Sequence, residues 1–532
     1  MKSCFLLILI SMIAMDLAGQ TSSDIPLVVI ETPGGMAIPD EPKIRAHMKI
    51  IDHGPGWLNL TSDPGNIYDG LVGIEIRGAY SASLPQKPYG FETRDSAGAN
   101  LNVSLMGMPE ENDWILLANY NDKSFLRNSL AGYLFREMGH YAPRTKHVEL
   151  VLNGSYEGIY VLTEKIKRDK GRVDIATLNP DENSGDDLTG GYIFKNDYYS
   201  ENDSWESAYP PFTRLEKSVR FVYYYPKPDE ITEAQKQYLQ DWVFGFETVL
   251  HGEGFMDRQT GYAAYIDENS FRDYFILSEV TRNVDAYKKS RYFYKDKESN
   301  GGKLHSGPPW DFDWAWKDIW DCPIFANTDG SGWAYRVNDC EVWPTPPVYM
   351  TRLLQDETFT GSIKQRYEQI RESFMSDASL DHYIDSVTML LQEAQVRHYE
   401  RWDILGENVG APEVGQIPDT FEGEMIKFKN WIRTRLDWLD QHMPGDLDTP
   451  LPEERSILRL FPNPASTWIR VESNRLLDRI ELTTLTGAVV FIEEDLHGNA
   501  ATLQLPALSS GVYLMHLFFK GDERISRKLF IE

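Results

Sequence analysis

Two acids two residues apart, Asp311 and Asp313, stand inside the run His305-Ser-Gly-Pro-Pro-Trp-Asp-Phe-Asp-Trp-Ala-Trp316, walled by tryptophans. A carboxylate moved among apolar groups either takes up a proton or finds a cation. Two such neighbours repel unless a metal or a basic group lies between them. On a strand the pair would share a face and reach one ion together. Mg²⁺ suits that arrangement, because it takes oxygen ligands and is held by one or two carboxylates plus substrate phosphates. A second reading stands beside this one: a tight turn in which the aspartates cap backbone amides while Trp310, Trp314 and Trp316 fill core.

Other candidate groups lie far off in the chain. Asn283 and Asp285 fall in a loop after a helix, and the 26 residues from Asp285 to Asp311 fit a loop acid, a hairpin and a second acid returned to one cleft. Arg77-Gly-Ala-Tyr-Ser-Ala-Ser-Leu-Pro-Gln-Lys87 is a small-residue loop with a cation at each end. Its amides can approach an anion on which Arg77 or Lys87 closes, and an ordinary surface turn is the alternative. Lys165 and Lys167 alternate with Ile166 and so can point to one place; a solvated face is the other reading.

Residues 24 to 95 alternate apolar and polar in short runs broken by Pro-Gly-Gly and Asp-Pro-Gly, which predicts a strand-rich portion. A helix carries Phe125, Leu126, Leu130, Tyr133 and Leu134, with Asp122 or Ser124 as its N-cap and Gly139 as its end. Arg127 and Asn128 share it, and pair with nearby acids or carbonyls. Asn153-Gly154 between apolar alternations predicts a hairpin over 147–163 that delivers Lys165 and Lys167 to its far end. Helices are expected over 232–250 and, capped by Asn269, over 270–282, followed by an aromatic strand carrying Lys288, Lys289 and Arg291. Residues 345–443 read as helical, with His398 and Arg401 in structural roles. The Pro- and acid-rich segment 444–455 reads as a linker, and short strands after it predict a small all-β sandwich over 456–532 with no chemistry of its own.

A length of 532 residues suits about three domains, and 14 Trp, 28 Tyr and 24 Phe argue for a folded chain. The formal net charge of −28 repels phosphate backbones and excludes nucleic acid as a partner. The first 19 residues have the form of a secretory signal peptide, cleaved near Gly19, and no later stretch is long and apolar enough to span a bilayer. Removing them removes Cys4 and leaves Cys322 and Cys340, an even pair that in an exported protein points to one disulfide; two buried thiols are the alternative.

Residues 26 to 443 resemble the spore-coat protein H (CotH) kinase family. The resemblance is carried by Ile76-Arg-Gly78, Asp113-Trp-Ile-Leu116, the run from Asp122-Lys through Arg127-Asn to Arg136-Glu-Met-Gly139, Asn153-Gly-Ser-Tyr-Glu-Gly-Ile-Tyr160, Thr163-Glu-Lys-Ile-Lys167, Asn283-Val-Asp285 and Gly307-Pro-Pro-Trp-Asp-Phe-Asp313. Residues from about 456 onward resemble the type A sorting domain of type IX secretion, found in Bacteroidetes, by Pro462-Asn-Pro464, Leu485-Thr-Gly487, Leu508-Ser-Ser-Gly-Val-Tyr513 and Lys528-Leu-Phe-Ile. The first resemblance implies an α+β, atypical protein-kinase-like two-lobed domain that binds ATP and Mg²⁺ and phosphorylates Ser or Thr of exported or surface proteins. It would be followed by an Ig-like sandwich that engages the type IX machinery, with the chain secreted or held at the cell surface. In that scheme Asp285 is the catalytic acid, Asp311 and Asp313 hold the metal with Asn283 assisting, and Arg77, Lys87, Lys165 or Lys167 hold phosphates. The chain departs from the family at Pro85-Gln86-Lys87, where relatives commonly carry paired lysines. The G-x-G-x-x-G, V-A-I-K, H-R-D and D-F-G signatures of ordinary kinases are absent from the sequence. Rival readings are a catalytically inactive kinase-like binding or structural protein, and a surface glycan binder using exposed aromatics.

Overall fold

Strict period-two alternation in the first third of the chain closes a barrel. The computed structural model describes residues 22–211, 217–445 and most of 458–531. The signal segment 1–19 with Cys4, linker positions 446–455, Pro462, Pro464 and the Leu485-Thr-Gly487 motif lie outside the described residues. Strands β1 (Leu27–Glu31), β2 (Ile44–Ile51), β3 (Tyr68–Ile76), β4 (Tyr89–Arg94), β5 (Asp113–Ala118), β6 (Thr145–Leu152) and β7 (Ser155–Glu164) form it in the order β1-β2-β3-β4-β5-β7-β6. All neighbours are antiparallel except β1 and β6, whose parallel pairing of Leu27 with Glu149 closes the ring. Every second residue points inward: Val28 and Ile30, Met48 and Ile50, Val72 and Ile74, Trp114 and Leu116, Val148 and Leu150, Tyr160 and Leu162 make one buried cluster. The β6–β7 turn is Asn153-Gly154, both at positive φ (50° and 79°), as the hairpin reading expects.

Helix α1 (Arg127–Glu137) interrupts the barrel between β5 and β6. It starts later than the apolar spacing predicts. Phe125 sits at φ 60°, outside the helix, and Asp122 caps from five residues back by accepting from the Arg127 amide at 3.0 Å. A second sheet follows, β9 (Ser204–Glu206), β10 (Arg220–Tyr225), β8 (Tyr192–Asn196), β11 (Arg291–Lys295) and β12 (Leu304–Ser306) in that order. Lys288 and Lys289 precede β11 instead of lying on it.

Helix α2 (Glu233–His251) opens with a capping box between Thr232 and Gln235. Helix α3 (Glu268–Thr281) is capped by Asp267, which accepts from the Ser270 amide at 2.7 Å, two residues before the expected Asn269. α3 is buried on nearly every side, among α1, α4 (Glu357–Arg371) and α7 (Phe421–His442). The helical part also holds α5 (Asp377–Leu390) and α6 (Ala394–Arg401), along with short helices at Pro323–Ala326 and Tyr349–Leu353. α6 rests on β7: His398 accepts from the Ile159 amide at 3.0 Å and Arg401 donates to the Tyr156 carbonyl at 3.0 Å, both structural as expected.

The C-terminal region is all β. Strands Leu458–Phe461, Trp468–Ser473 and Ala500–Gln504 form one antiparallel sheet, and Leu477–Thr484, Val489–Glu493, Gly511–Phe519 and Arg524–Ile531 another. Ile469, Val471, Ile480, Leu482, Met515 and Leu517 share one core between them. Cys322 and Cys340 are joined as a disulfide, as the even pair predicts.

Candidate active site

Asp311 and Asp313 do not lie on a strand. They sit in an irregular segment in which Asp311 takes a left-handed backbone (φ 59°) and Phe312 turns into the core, 1% exposed. That reversal leaves both carboxylates in one half-buried cleft, as a strand would have done, by different backbone geometry. α1 holds the segment from below: Asn128 accepts from the Phe312 amide at 2.8 Å, and Arg127 donates to the Ala315 carbonyl at 2.8 Å.

The second acid-bearing loop leaves the end of α3. Buried Glu279 accepts from the amides of Ala334 (2.7 Å) and Tyr335 (2.8 Å), from Tyr287 Oη (3.0 Å) and from Arg435 (3.1 Å). Arg282, at φ 40°, ends the helix and anchors its buried guanidinium on the Ser331 and Asn327 carbonyls and on Asp318. What emerges is a rigid Asn283-Val-Asp285 turn. Asn283 ties the two loops together: its Nδ2 donates to the Asp311 carbonyl at 3.2 Å, and its Oδ1 accepts from the Asp285 amide at 3.2 Å.

Electrostatics unite the three acids. Asp285 pairs with Lys289 at 2.7 Å and Lys288 at 3.4 Å, and Lys288 also reaches Asp321 at 3.2 Å. Burial works against the Lys289 charge, yet Asp285 and, beyond it, Asp311 hold its ammonium above the usual lysine range. Burial raises the Asp311 carboxyl, against a 2.7 Å bond from Ser290 Oγ and the charges of Arg77 and Lys289. Burial, and next the Asp311 charge, push Asp313 up to about 6, against a hydrogen bond from Asn121. Burial therefore disfavours the charged form of both acids, and each keeps one side-chain donor, Ser290 on Asp311 and Asn121 on Asp313.

The small-residue loop roofs this cleft from the barrel. Arg77 lies over the Trp310 ring at 5.4 Å, and Tyr80 meets Trp314 edge to face at 5.9 Å. Lys87 turns back to brace its own loop, donating to the Ala82 carbonyl at 2.9 Å. Gln86 faces inward, 1% exposed, with Nε2 on the carbonyls of Glu157 (3.1 Å) and Ile159 (3.0 Å) and Oε1 accepting from the Asn119 amide at 3.0 Å. Its side chain clamps the barrel wall.

Lys165 and Lys167 stand just beyond β7 and converge on Asp113, at 3.6 and 2.7 Å, with Glu111 2.6 Å from Lys167. Burial works against the Asp113 charge, and the two lysines more than offset it, holding its carboxyl below the usual range. Tyr224, bonded to the Ile166 carbonyl at 2.6 Å, feels the charges of both Arg77 and Asp113 and bridges this cluster to the cleft.

Sequence reasoning left out Asn121, Ser290, Lys195 and Asp197 as members of the site. Asn121 and Ser290 bond the acid pair directly, and Lys195 pairs with Asp197 at 2.6 Å beside it. Lys289, expected on the strand, instead pairs with Asp285 four residues before it. Among the described residues no three His, Cys, Asp or Glu side chains form an all-protein metal cage. Two neighbouring carboxylates are instead donors of the kind that Mg²⁺ takes when phosphate oxygens and water complete its shell.

Residues 459–532 match the secretion system C-terminal sorting domain, which indicates type IX export to the cell surface or beyond. Inner spore coat protein H of Bacillus subtilis (strain 168) is 28% identical over 205 residues, 38% of this chain, and the chain spans about half the length of that relative (50%). A crystal structure of CopC from Methylosinus trichosporium OB3b aligns at 15% identity with 14% of this chain and 91% of its own, with a TM-score of 0.12, too low to bear on the fold. Residues 74–439 match the CotH kinase protein family across more than half of the chain, and the protein belongs to that family.

Proposed function

We propose that the cleft binds ATP with Mg²⁺ and transfers the γ-phosphate to a Ser or Thr hydroxyl of exported or surface proteins. The barrel and the helical part act as the two lobes of an atypical protein kinase. The observation that supports this most is the convergence of Asp285, Asp311 and Asp313 from two separate loops, bridged by Asn283, under a roof that brings Arg77 to the same place. Phosphoryl transfer asks a protein mainly for position and charge compensation.

Asp311 and Asp313 would hold the metal, with Asn283 fixing the distance between their loop and the Asp285 loop. When bound, Mg²⁺ supplies charge neutralisation at the phosphate oxygens. Arg77 approaches the phosphates from the barrel side, while Lys87 keeps its loop in shape; Lys165 and Lys167 hold the barrel mouth through Asp113 and form the outer cationic rim. Asp285, paired with Lys289 at 2.7 Å, accepts the proton of the acceptor hydroxyl as its oxygen bonds to the γ-phosphorus; the bond to the β,γ-bridging oxygen breaks, and ADP leaves. The inward-facing Gln86 bears on the rival, inactive-scaffold reading: its side chain is committed to the barrel wall, so the phosphate-contact count rests on Arg77 and the rim lysines.

Transfer from γ-labelled ATP tests the proposal. Asp311→Ala is expected to abolish labelling of protein acceptors, or of the chain itself, while the thermal unfolding transition persists. Undiminished transfer by that variant would refute the assignment.

A further inference from the structure

Asn121, which bonds Asp313, is itself held by a buried lysine. It lies in the turn just past β5, 4% exposed, where its Nδ2 donates to the Asp313 carboxylate. Lys317, 5% exposed, donates its ammonium to the Asn121 carbonyl at 2.6 Å. One residue thus meets the acid with its side chain and the lysine with its backbone. The connection between α6 and α7 closes on the same turn: a Cβ at Gly410 would stand 2.5 Å from the Asn121 Cβ, and Lys123 donates to the Glu407 carbonyl.

The backbone around Lys317 keeps its ammonium in place. The Trp316 amide donates to the Thr281 carbonyl at 2.8 Å, and the residues after it run antiparallel to 412–414, with the Val414 amide on the Asp318 carbonyl (2.8 Å) and the Trp320 amide on the Pro412 carbonyl (3.0 Å). That pairing brings Glu413 to 3.6 Å from Lys317, and Lys427 of α7 holds Glu413 in turn at 2.6 Å. Burial, and next the Arg127 charge, weigh against the Lys317 ammonium, while Glu413, Asp122 and Asp313 favour it. A neutral donor would satisfy the Asn121 carbonyl at a smaller desolvation cost. The ammonium instead ties that carbonyl to a charge that interacts with Asp313 as well.

We propose that Lys317 is a positioning residue of the cleft: it fixes the Asn121 backbone, Asn121 fixes the Asp313 carboxylate, and Asp313 is thereby presented to a divalent cation in one orientation. This role rests on the reading of Asp311 and Asp313 as metal ligands. Partners that orient a ligating carboxylate tune metal affinity by about 10- to 100-fold, and Lys317 acts one residue further out, through Asn121.

A double-mutant cycle on the full chain tests this, with Lys317→Met, Asn121→Ala and the two combined. Two quantities are read: amide exchange over 311–316 in the chain free of metal and nucleotide, and the Mg²⁺ concentration that half-saturates ATP binding. Each single variant is expected to speed exchange over 311–316 and to raise the Mg²⁺ requirement about tenfold. The combined variant is expected to do no more than Asn121→Ala alone, because both act through one side chain. Should Lys317→Met fail to fold, Lys317→Met/Glu413→Gln takes its place in the cycle, since it removes charge and counter-charge together. Additive effects overturn the proposal, as does a Lys317→Met chain whose exchange rises over 119–122 but whose Mg²⁺ requirement is unchanged. If the unaltered chain binds no ATP at any Mg²⁺ concentration, the metal–nucleotide reading fails and the exchange cycle decides alone. Non-additive exchange over 311–316 then still supports the positioning of Asp313 by Lys317, and unchanged exchange there overturns it.

Discussion

At the residue scale the site depends on charges that the fold brings together and leaves partly unbalanced. Asp285→Asn removes the proposed proton acceptor without changing shape, and transfer is expected to fall by about 100-fold or more, measured as initial rate with labelled ATP. Lys289→Met removes the partner of Asp285 and should depress the rate less. Away from the cleft, Glu247 is buried with neutral partners among the described residues, Ser207 at 2.8 Å and Tyr349 at 2.8 Å, and burial pushes its carboxyl up to about 7 from 4.5. Between those two values the folded chain binds more protons at this group than the unfolded chain, so stability falls as pH rises through that window, and the loss is complete above it. Glu247→Gln keeps the hydrogen bonds without the charge. It is therefore expected to be more stable than the unaltered chain at pH 8, by roughly 1–3 kcal/mol, and to match it near pH 5, as followed by calorimetry. Acids with chemical intent were legible in the sequence, because carboxylates among tryptophans demand a partner. Asn121 and Ser290 were not legible, since nothing in a lone polar side chain says which distant loop it will meet.

At the element scale, alternation made the inward faces of the barrel strands readable one strand at a time, from Val28 and Ile30 through Tyr160 and Leu162. Closure was not readable, because it depends on the parallel pairing of β1 with β6, more than a hundred residues apart. The Asn153-Gly154 turn and the Thr232 capping box follow from local rules and appear where those rules put them. The start of α1 and the backbone of the acid pair do not, because Asp122 caps from outside the helix and Asp311 takes a left-handed turn that only the surrounding packing can enforce. Two substitutions test how these elements are held. Gln86→Ala leaves the buried Asn119 amide without its acceptor and is expected to cost about 1–3 kcal/mol in denaturant unfolding, with Gln86→Lys no better tolerated. Replacing Cys322 and Cys340 with serine opens a loop of sequence separation 18 and is expected to cost about 3 kcal/mol, with a loss of the Lys288–Asp321 contact visible as faster amide exchange around Asp321.

At the scale of the whole molecule, the chain joins a barrel, a helical part that carries the acids, and a β-rich sorting region with its own core. A formal net charge of −28 favours solubility through mutual repulsion between chains. Deleting residues 456–532 is expected to leave the remainder in the periplasm, as detected by cell fractionation, and unchanged export of the truncated chain would separate the sorting region from secretion.

The central claim is that Asp311 and Asp313 form a metal-dependent nucleotide site, and calorimetric titration of ATP into the full chain tests it most directly. The unaltered chain is expected to bind ATP only when Mg²⁺ is present, and the Asp311→Asn/Asp313→Asn chain, still folded, to lose that affinity by at least about tenfold, the equivalent of roughly 1.4 kcal/mol. Binding that ignores Mg²⁺, or that survives loss of both carboxylates, would contradict it.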